Sequence, residues 1–204
     1  MAEKFLEKVY EARDAGSTRK LYDDWSASYE AEVAENGYVT PGRCAKALAS
    51  TMTDKSLPVL DFGCGTGLSG LALSLEGFST LDGLDLSAEM LAQAQSKNIY
   101  RKLSQIDAEA PLPVAAGDYA AIAAIGVIGA GAAPISVLHD LMNALGSGGK
   151  LVLSFNDHAL ADPENEAGLS EWLDCGAARL LFKEYGPHLT KIDLKSCVYV
   201  IEKA

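Results

Sequence analysis

The chain is short of positive charge. Its 17 Lys and Arg stand against 28 Asp and Glu, a formal net charge of −11, and no run of Lys and Arg exists to build a basic groove. Such a surface repels phosphate backbones, so nucleic acid is not an expected partner. Cysteine is scarce too: Cys44, Cys64, Cys175 and Cys197 form no C-x-x-C pair, which argues against zinc and leaves no metal site to expect. The opening MAEKFLEKVYEARD is charged throughout and lacks the apolar core of a signal peptide. The longest apolar stretch, 119–136, is rich in Ala and Gly and broken by Pro134, so it reads as a buried strand and turn rather than a membrane span. These absences predict a cytoplasmic protein with no membrane partner. Nothing in the pattern announces an oligomeric state.

What is present is an alternation. With 204 residues, 49% of them hydrophobic, the chain suits one globular unit with a substantial core. Residues 3–14 and about 18–35 read as helices separated by Gly16-Ser17, and a third helix follows Pro41. Strand and helix then alternate. Strands are predicted at 58–62, 80–85, a short one ending near Ile106, 119–126, 151–155, 178–185 and 195–202. Between them fall helices with Leu68, Leu71, Ala72 and Leu75 as one buried face, with Met90, Leu91 and Ala94 inward behind a Ser87 cap, after Pro134, and near 168–175. This spacing implies a parallel sheet covered on both faces. The last two strands are separated by YGPHLTKID, long enough for a hairpin and too short for a helical crossover, so one edge strand is expected to run antiparallel.

The segment VLDFGCGTGLSG, residues 59–70, carries two overlapping glycine patterns. Counted from Gly65 it has the spacing of a dinucleotide turn; counted from Gly63, with Asp61 two residues earlier, it has the form associated with S-adenosylmethionine. Glycines let a ligand approach the backbone in either case. Asp61 separates the two. A carboxylate in the last turn of the strand repels a pyrophosphate, whereas an ammonium and a sulfonium attract it. A helical leader before this strand and a closing hairpin favour the second reading as well. Asp85, at the end of the second strand, suits ribose hydroxyls under either reading, with Asp82 as a mid-strand rival. Asp107, after the third strand, suits an adenine amine, with Ile106 and Ala108 able to pack on the ring.

Taken in order, VLDFGCGTG, GLDLSAEML, IDAEAPLP and LHDLMNALGSGGKLVLS resemble the class I S-adenosylmethionine-dependent methyltransferases over roughly residues 55–156. The leader LYDDWSASYEAEVAENGY is similar to that of the small methyltransferase-like proteins named after the Williams–Beuren chromosomal region, and more loosely to the ubiquinone/biotin-pathway type. The resemblance implies an α/β, Rossmann-like seven-stranded sheet, mostly parallel with an antiparallel C-terminal strand, helices on both faces and a helical N-terminal cap. The cap would be 1–54 and the S-adenosylmethionine-binding domain 55–204. It implies that Asp61, Gly63, Gly65 and Gly67 shape the pocket under methionine and ribose. Asp85 would hold the ribose, Leu86, Asp107 and Ala108 would meet the adenine, and Gly126 and Val127 would lie where the methyl passes. Tyr22, Trp25 and Tyr29 would cap the methionine end. In one departure, the aspartate that often follows an aromatic at the start of the fourth strand is absent: Tyr119 precedes Ala120, and the acid is Asp118.

The expected activity is in-line transfer of a methyl group from S-adenosylmethionine to an O, N or S atom of a small-molecule acceptor. Tyr22, Trp25 and Tyr29 share one helix face at i, i+3, i+7, which suits either a hydrophobic seam or an aromatic lid over the sulfonium. His158, after the fifth strand, is a candidate general base, and Asn156 a candidate for orienting the acceptor. A non-catalytic S-adenosylmethionine- or S-adenosylhomocysteine-binding protein, and an NAD(P)-dependent oxidoreductase, are the alternatives.

Overall fold

The computed structural model describes residues 15–129 and 132–204; the helix expected over 3–14 lies outside the described residues. Two helices lead, α1 (Ala15–Glu35) and α2 (Thr40–Thr51). Then come β1 (Val59–Phe62), α3 (Leu68–Leu75), β2 (Leu81–Asp85), α4 (Ala88–Ser96), β3 (Lys102–Gln105) and β4 (Ala121–Ala124). The rest is α5 (Ser136–Ala144), β5 (Lys150–Asn156), the short α6 (Asp157–Leu160), α7 (Pro163–Asp174), β6 (Ala178–Leu189) and β7 (Leu194–Lys203).

The seven strands form one sheet in the order β3-β2-β1-β4-β5-β7-β6. Strands β1 to β5 pair in parallel, and β7 runs antiparallel to both β5 and β6. The antiparallel strand is therefore the C-terminal one, as the family resemblance implies. It sits inside the sheet rather than at the edge, because the hairpin folds back between β5 and β6. Successive strand residues face opposite sides. Leu60, Ile122, Ala124, Leu151, Leu153 and Phe155 pack with Leu138, Leu141 and Met142 of α5. Val59, Ala121, Ala123, Val152, Val198 and Val200 pack with Cys44, Ala47 and Leu48 of α2 and Leu73 of α3. That two-residue period covers both faces of the sheet.

Local chemistry sets the element ends. Ser87 Oγ accepts from Met90 N to start α4, Asn156 does the same for α6 through Ala159 N, and Asp162, followed by Pro163, starts α7. Helix α7 thus begins five residues before the predicted start. The face of α3 also differs from expectation. Leu71 and Leu75 are exposed, while Ser69, Gly70 and Leu73 are buried. The cause is Tyr100, whose ring lies against α3 so closely that a Cβ on Gly70 would fall 2.1 Å from its hydroxyl. Only a residue without a side chain fits, so the small face turns inward.

Strand order reverses between β1 and β4, and their carboxyl ends part there. Open α/β sheets bind ligands at such a switch point. Because the α3–Tyr100 contact holds this region, Gly70→Ala should lower stability by about 1–3 kcal/mol, read as a fall in the urea midpoint; an unchanged midpoint would refute the tight packing.

Candidate functional site

A cavity of about 610 Å³ opens at the switch point, within the range usual for small-molecule sites, about 300–1,000 Å³. Its floor is the turn after β1. Gly63 N and Cys64 N both donate to Leu84 O, which ties the turn to β2. Gly63 and Gly65 have positive φ, 68° and 52°. A Cβ on Gly63 would strike Val127 at 2.5 Å, whereas one on Gly65 would meet nothing within 4 Å. Gly65 therefore presents bare backbone to open space, a cradle that a side chain would fill.

Two carboxylates define the chemistry beneath and beside this turn. Asp85 Oδ2 accepts from Gly65 N at 2.7 Å, and Oδ1 from Ser87 N at 2.9 Å. Burial raises its pKa, and these backbone donors offset part of the rise. Each oxygen keeps a lone pair for a further donor. Asp61 is wholly buried. Its Oδ2 accepts from Tyr100 OH at 2.6 Å and Ser69 Oγ at 2.7 Å, while Oδ1 has no hydrogen-bond partner among the described residues. Burial lifts the Asp61 carboxyl from the ordinary 3.8 to about 6, against the two hydroxyl donors and with a contribution from the charge of Asp85.

Most of the residues expected at a cofactor line this cavity: Tyr22, Tyr29, Gly63, Gly65, Asp85, Leu86, Asp107, Ala108, Gly126 and Val127. Three do not. Asp61 lies beneath the turn. Gly67 starts α3 at φ 92°, where a Cβ would come within 3.3 Å of Tyr100, Ala94 and Lys97, so its position serves close packing. Trp25 lines a second, smaller chamber of about 80 Å³ instead, together with Tyr38, Asn156 and His188. Its ring stacks on Tyr22 with centroids 5.9 Å apart and meets Tyr29 edge-on at 4.7 Å. The three aromatics of α1 are thus one cluster spanning both cavities.

Asn156 lines the chamber while its Oδ1 caps α6. His158 is exposed in the first turn of α6 and lines neither cavity, because the chain turns into a helix directly after β5. Asp118 accepts from Ala115 N in the turn before β4, and Tyr119 donates to Asp82, which also pairs with Arg101. Asp82 is thereby committed to holding β2, β3 and β4 together.

The reading from sequence passed over Glu109, Asp140 and His188. Glu109 and Asp140 join Asp85 and Asp107 in the main cavity, where no Lys or Arg appears among the described lining residues. Acidic walls, an orphaned carboxylate oxygen and bare glycine backbone fit a cationic adenosyl cofactor and oppose a pyrophosphate.

Residues 59–149 match the model of a family described as a methyltransferase domain. Human Methyltransferase-like protein 27 is 32% identical over 131 residues, 63% of this chain and 54% of that protein. The 18S rRNA (guanine(1575)-N(7))-methyltransferase of Saccharomyces cerevisiae is 40% identical over 70 residues, 34% of this chain and 26% of that protein. The chain thus spans about half the length of the first relative and about a quarter of the second. A Haloferax volcanii methyltransferase, solved in complex with the Trm112 activator, has the same fold. It covers 94% of this chain and 99% of its own at a TM-score of 0.67 and 17% identity. No helix among the described residues is long and apolar enough to cross a membrane. The matched stretch begins at the strand that carries the glycine turn and ends where β5 begins, and there the chain is similar to a methyltransferase domain.

Proposed function

We propose that this chain transfers a methyl group from S-adenosylmethionine to an O, N or S atom of a small-molecule acceptor by in-line displacement. The observation that carries this reading is electrical: the main cavity has four acidic lining residues, Asp85, Asp107, Glu109 and Asp140, with no basic one among those described, above the unsatisfied Asp61. The same charge pattern, with a net −11 over the chain, opposes both a dinucleotide and an RNA backbone, although a yeast relative acts on rRNA.

S-adenosylmethionine supplies an activated methyl group whose leaving group is a neutral thioether. The chain's part is to bind, align and exclude water, and alignment of reactants can lower a barrier by about 7–11 kcal/mol. In this reading Asp85 accepts both ribose hydroxyls on the lone pairs its backbone donors leave open. Asp107 accepts from the adenine amine, and Leu86, Ile106 and Ala108 pack on the ring. Asp61 acts through the turn, attracting the ammonium and sulfonium. Tyr22 and Tyr29 close over the methionine end, where cation–π attraction is worth about 0.5–2 kcal/mol. Gly126 and Val127, just past β4, leave a side-chain-poor passage for the methyl. The helical leader, of which α1 and α2 are the described part, serves as a cap.

Calorimetric titration should detect S-adenosylmethionine and not NAD(H); the reverse would defeat the reading. Asp85→Ala should weaken S-adenosylmethionine by about 10–100-fold, the loss of two hydrogen bonds to a charged acceptor, and unchanged affinity would remove Asp85 from the site.

Asp61 gives a prediction in pH. A carboxyl raised from 3.8 to about 6 by folding leaves the protein's stability intact below pH 4 and lowers it as pH climbs through about 6. Without cofactor, Asp61→Asn should therefore be more stable than the parent at pH 7.5, on the order of 2–3 kcal/mol, and equal to it near pH 4. A bound cation favours the ionised form, so affinity for S-adenosylmethionine should rise between pH 5 and pH 7 in the parent and stay flat in Asp61→Asn. Parallel affinity profiles for the two proteins would contradict the role of Asp61.

A further inference from the structure

The C-terminal hairpin brings a buried histidine to the small chamber, and the cofactor cavity makes no use of it. His188, 7% exposed, lies near the end of β6 with its ring in the chamber wall. Its Nδ1 is 2.8 Å from Thr40 Oγ1, which is 3.1 Å from Ser196 Oγ, and Ser196 Oγ also accepts from Arg43 Nη1 at 3.0 Å. Thr40 and Ser196 are wholly buried. The backbone around His188 is clamped to the segment between α1 and α2. Val39 N donates to His188 O, Thr190 N to Gly37 O and Lys191 N to Asn36 O, and Tyr38 bridges Leu189. The Tyr38 ring meets the imidazole edge-on, centroids 5.1 Å apart. Ring and backbone are both held, so the imidazole has one orientation.

The chamber and the cofactor cavity share Tyr22, Tyr29, Gly126, Gly129 and Ala132. They meet at the end of β4, where the proposed methyl passage lies. Their chemistry differs sharply. Among its described lining residues the chamber has no Asp, Glu, Lys or Arg; its walls are Trp25, Tyr38, Val33, Ile128 and Leu189, and its polar groups are uncharged. A carboxylate or phosphate would find no cation there, and an ammonium no carboxylate. The walls suit a flat apolar body, and the imidazole suits one exchangeable proton.

We propose that this chamber receives the reactive end of a neutral, ring-bearing hydroxyl acceptor of phenol or enol type, and that His188 takes its proton through Nε2. The proposal rests on the methyl-transfer reading above and adds the acceptor class and the base. With the proton on Nδ1, His188 donates to Thr40, Thr40 donates to Ser196, and Nε2 keeps the lone pair. As the acceptor oxygen bonds to the methyl carbon, the carbon–sulfur bond breaks with its electron pair on sulfur, and the hydroxyl proton passes to Nε2. That proton becomes strongly acidic as the oxygen is alkylated, so a weak base suffices. Burial holds the imidazole pKa down to about 4, Asp157 from α6 opposes this, and Arg43 from α2 and His158 from α6 reinforce it. The ring is therefore neutral at pH 7, ready to accept a proton and then to release it to water.

The test uses the full chain with ¹³C,¹⁵N-labelled histidine. Of the three histidines, His188 is the signal missing in His188→Gln. After S-adenosylhomocysteine is added, phenol and benzoate are titrated in separate arms. Phenol should shift the His188 signal, and benzoate should not. The ¹⁵N shifts should report the Nδ1-protonated tautomer. Thr40→Val should disturb that tautomer and weaken phenol about tenfold, the loss of a neutral hydrogen bond, with S-adenosylhomocysteine affinity unchanged by calorimetry. If S-adenosylhomocysteine binds while phenol leaves His188 unmoved, or benzoate shifts it equally, the proposal is overturned and the methyltransferase reading stands. If S-adenosylhomocysteine does not bind, both fall.

Discussion

The structure is organised around a carboxylate that has been taken out of water with half its hydrogen bonding unmade. Asp61 sits wholly inside the protein, one oxygen held by Tyr100 and Ser69 and the other without a hydrogen-bond partner among the described residues. A buried charge without full pairing is costly, and the raised pKa is that cost expressed as proton affinity. The parts around it follow from keeping it there. Tyr100 reaches Asp61 only because Gly70 has no side chain. Ser69 reaches it because α3 turns its small face inward, and Asp85 adds a second negative group from the next strand. A cation arriving over the glycine turn relieves all of these at once, so the electrostatic imbalance around Asp61 favours its binding.

The two cavities divide the chemistry by charge. Acidic walls surround the cavity proposed for the adenosyl cofactor, and uncharged, largely aromatic walls surround the chamber that adjoins it. One helix serves both: Tyr22 and Tyr29 face the two cavities, and Trp25 stacks between them on the chamber side. A ligand that orders α1 over the first cavity therefore also shapes the second.

Much of this was legible in sequence because it is local. The glycine turn and Asp85 lie at strand ends twenty-odd residues apart, and the alternation of strands and helices fixes where those ends point. Ser87 as a helix cap and the closing hairpin were equally plain. What escaped depends on distant partners. The inward face of α3 is set by Tyr100, and leucine spacing alone favoured the opposite face. Strand β6 continues through Gly186-Pro187, which reads as a turn; an edge strand tolerates a proline because its outer N–H has no partner to lose. That extension carries His188 to Thr40, 148 positions away. His158, next to a strand end, drew attention for its local context, but the Asn156 cap starts a helix there and leaves the ring outside. Glu109 and Asp140, which no local pattern singles out, line the main cavity with Asp85 and Asp107 only once the chain is folded.

The clamp between residues 36–39 and 188–191 fixes how α1 can move. Backbone bonds hold the helix at its carboxyl end, while farther along it is tied to α4 by side chains, Gln93 to Ser26 and Lys97 to Glu30. It is therefore a lever with its fulcrum beside the chamber. At 1.5 Å per residue, a tilt of roughly 10° about that fulcrum swings Tyr22 by about 4 Å and Val33 by less than about 1 Å. The same tilt moves Trp25 by about 3 Å, so swinging the lever opens the first cavity and the α1 wall of the chamber together, while the chamber's Val33, Tyr38 and His188 side stays nearly still.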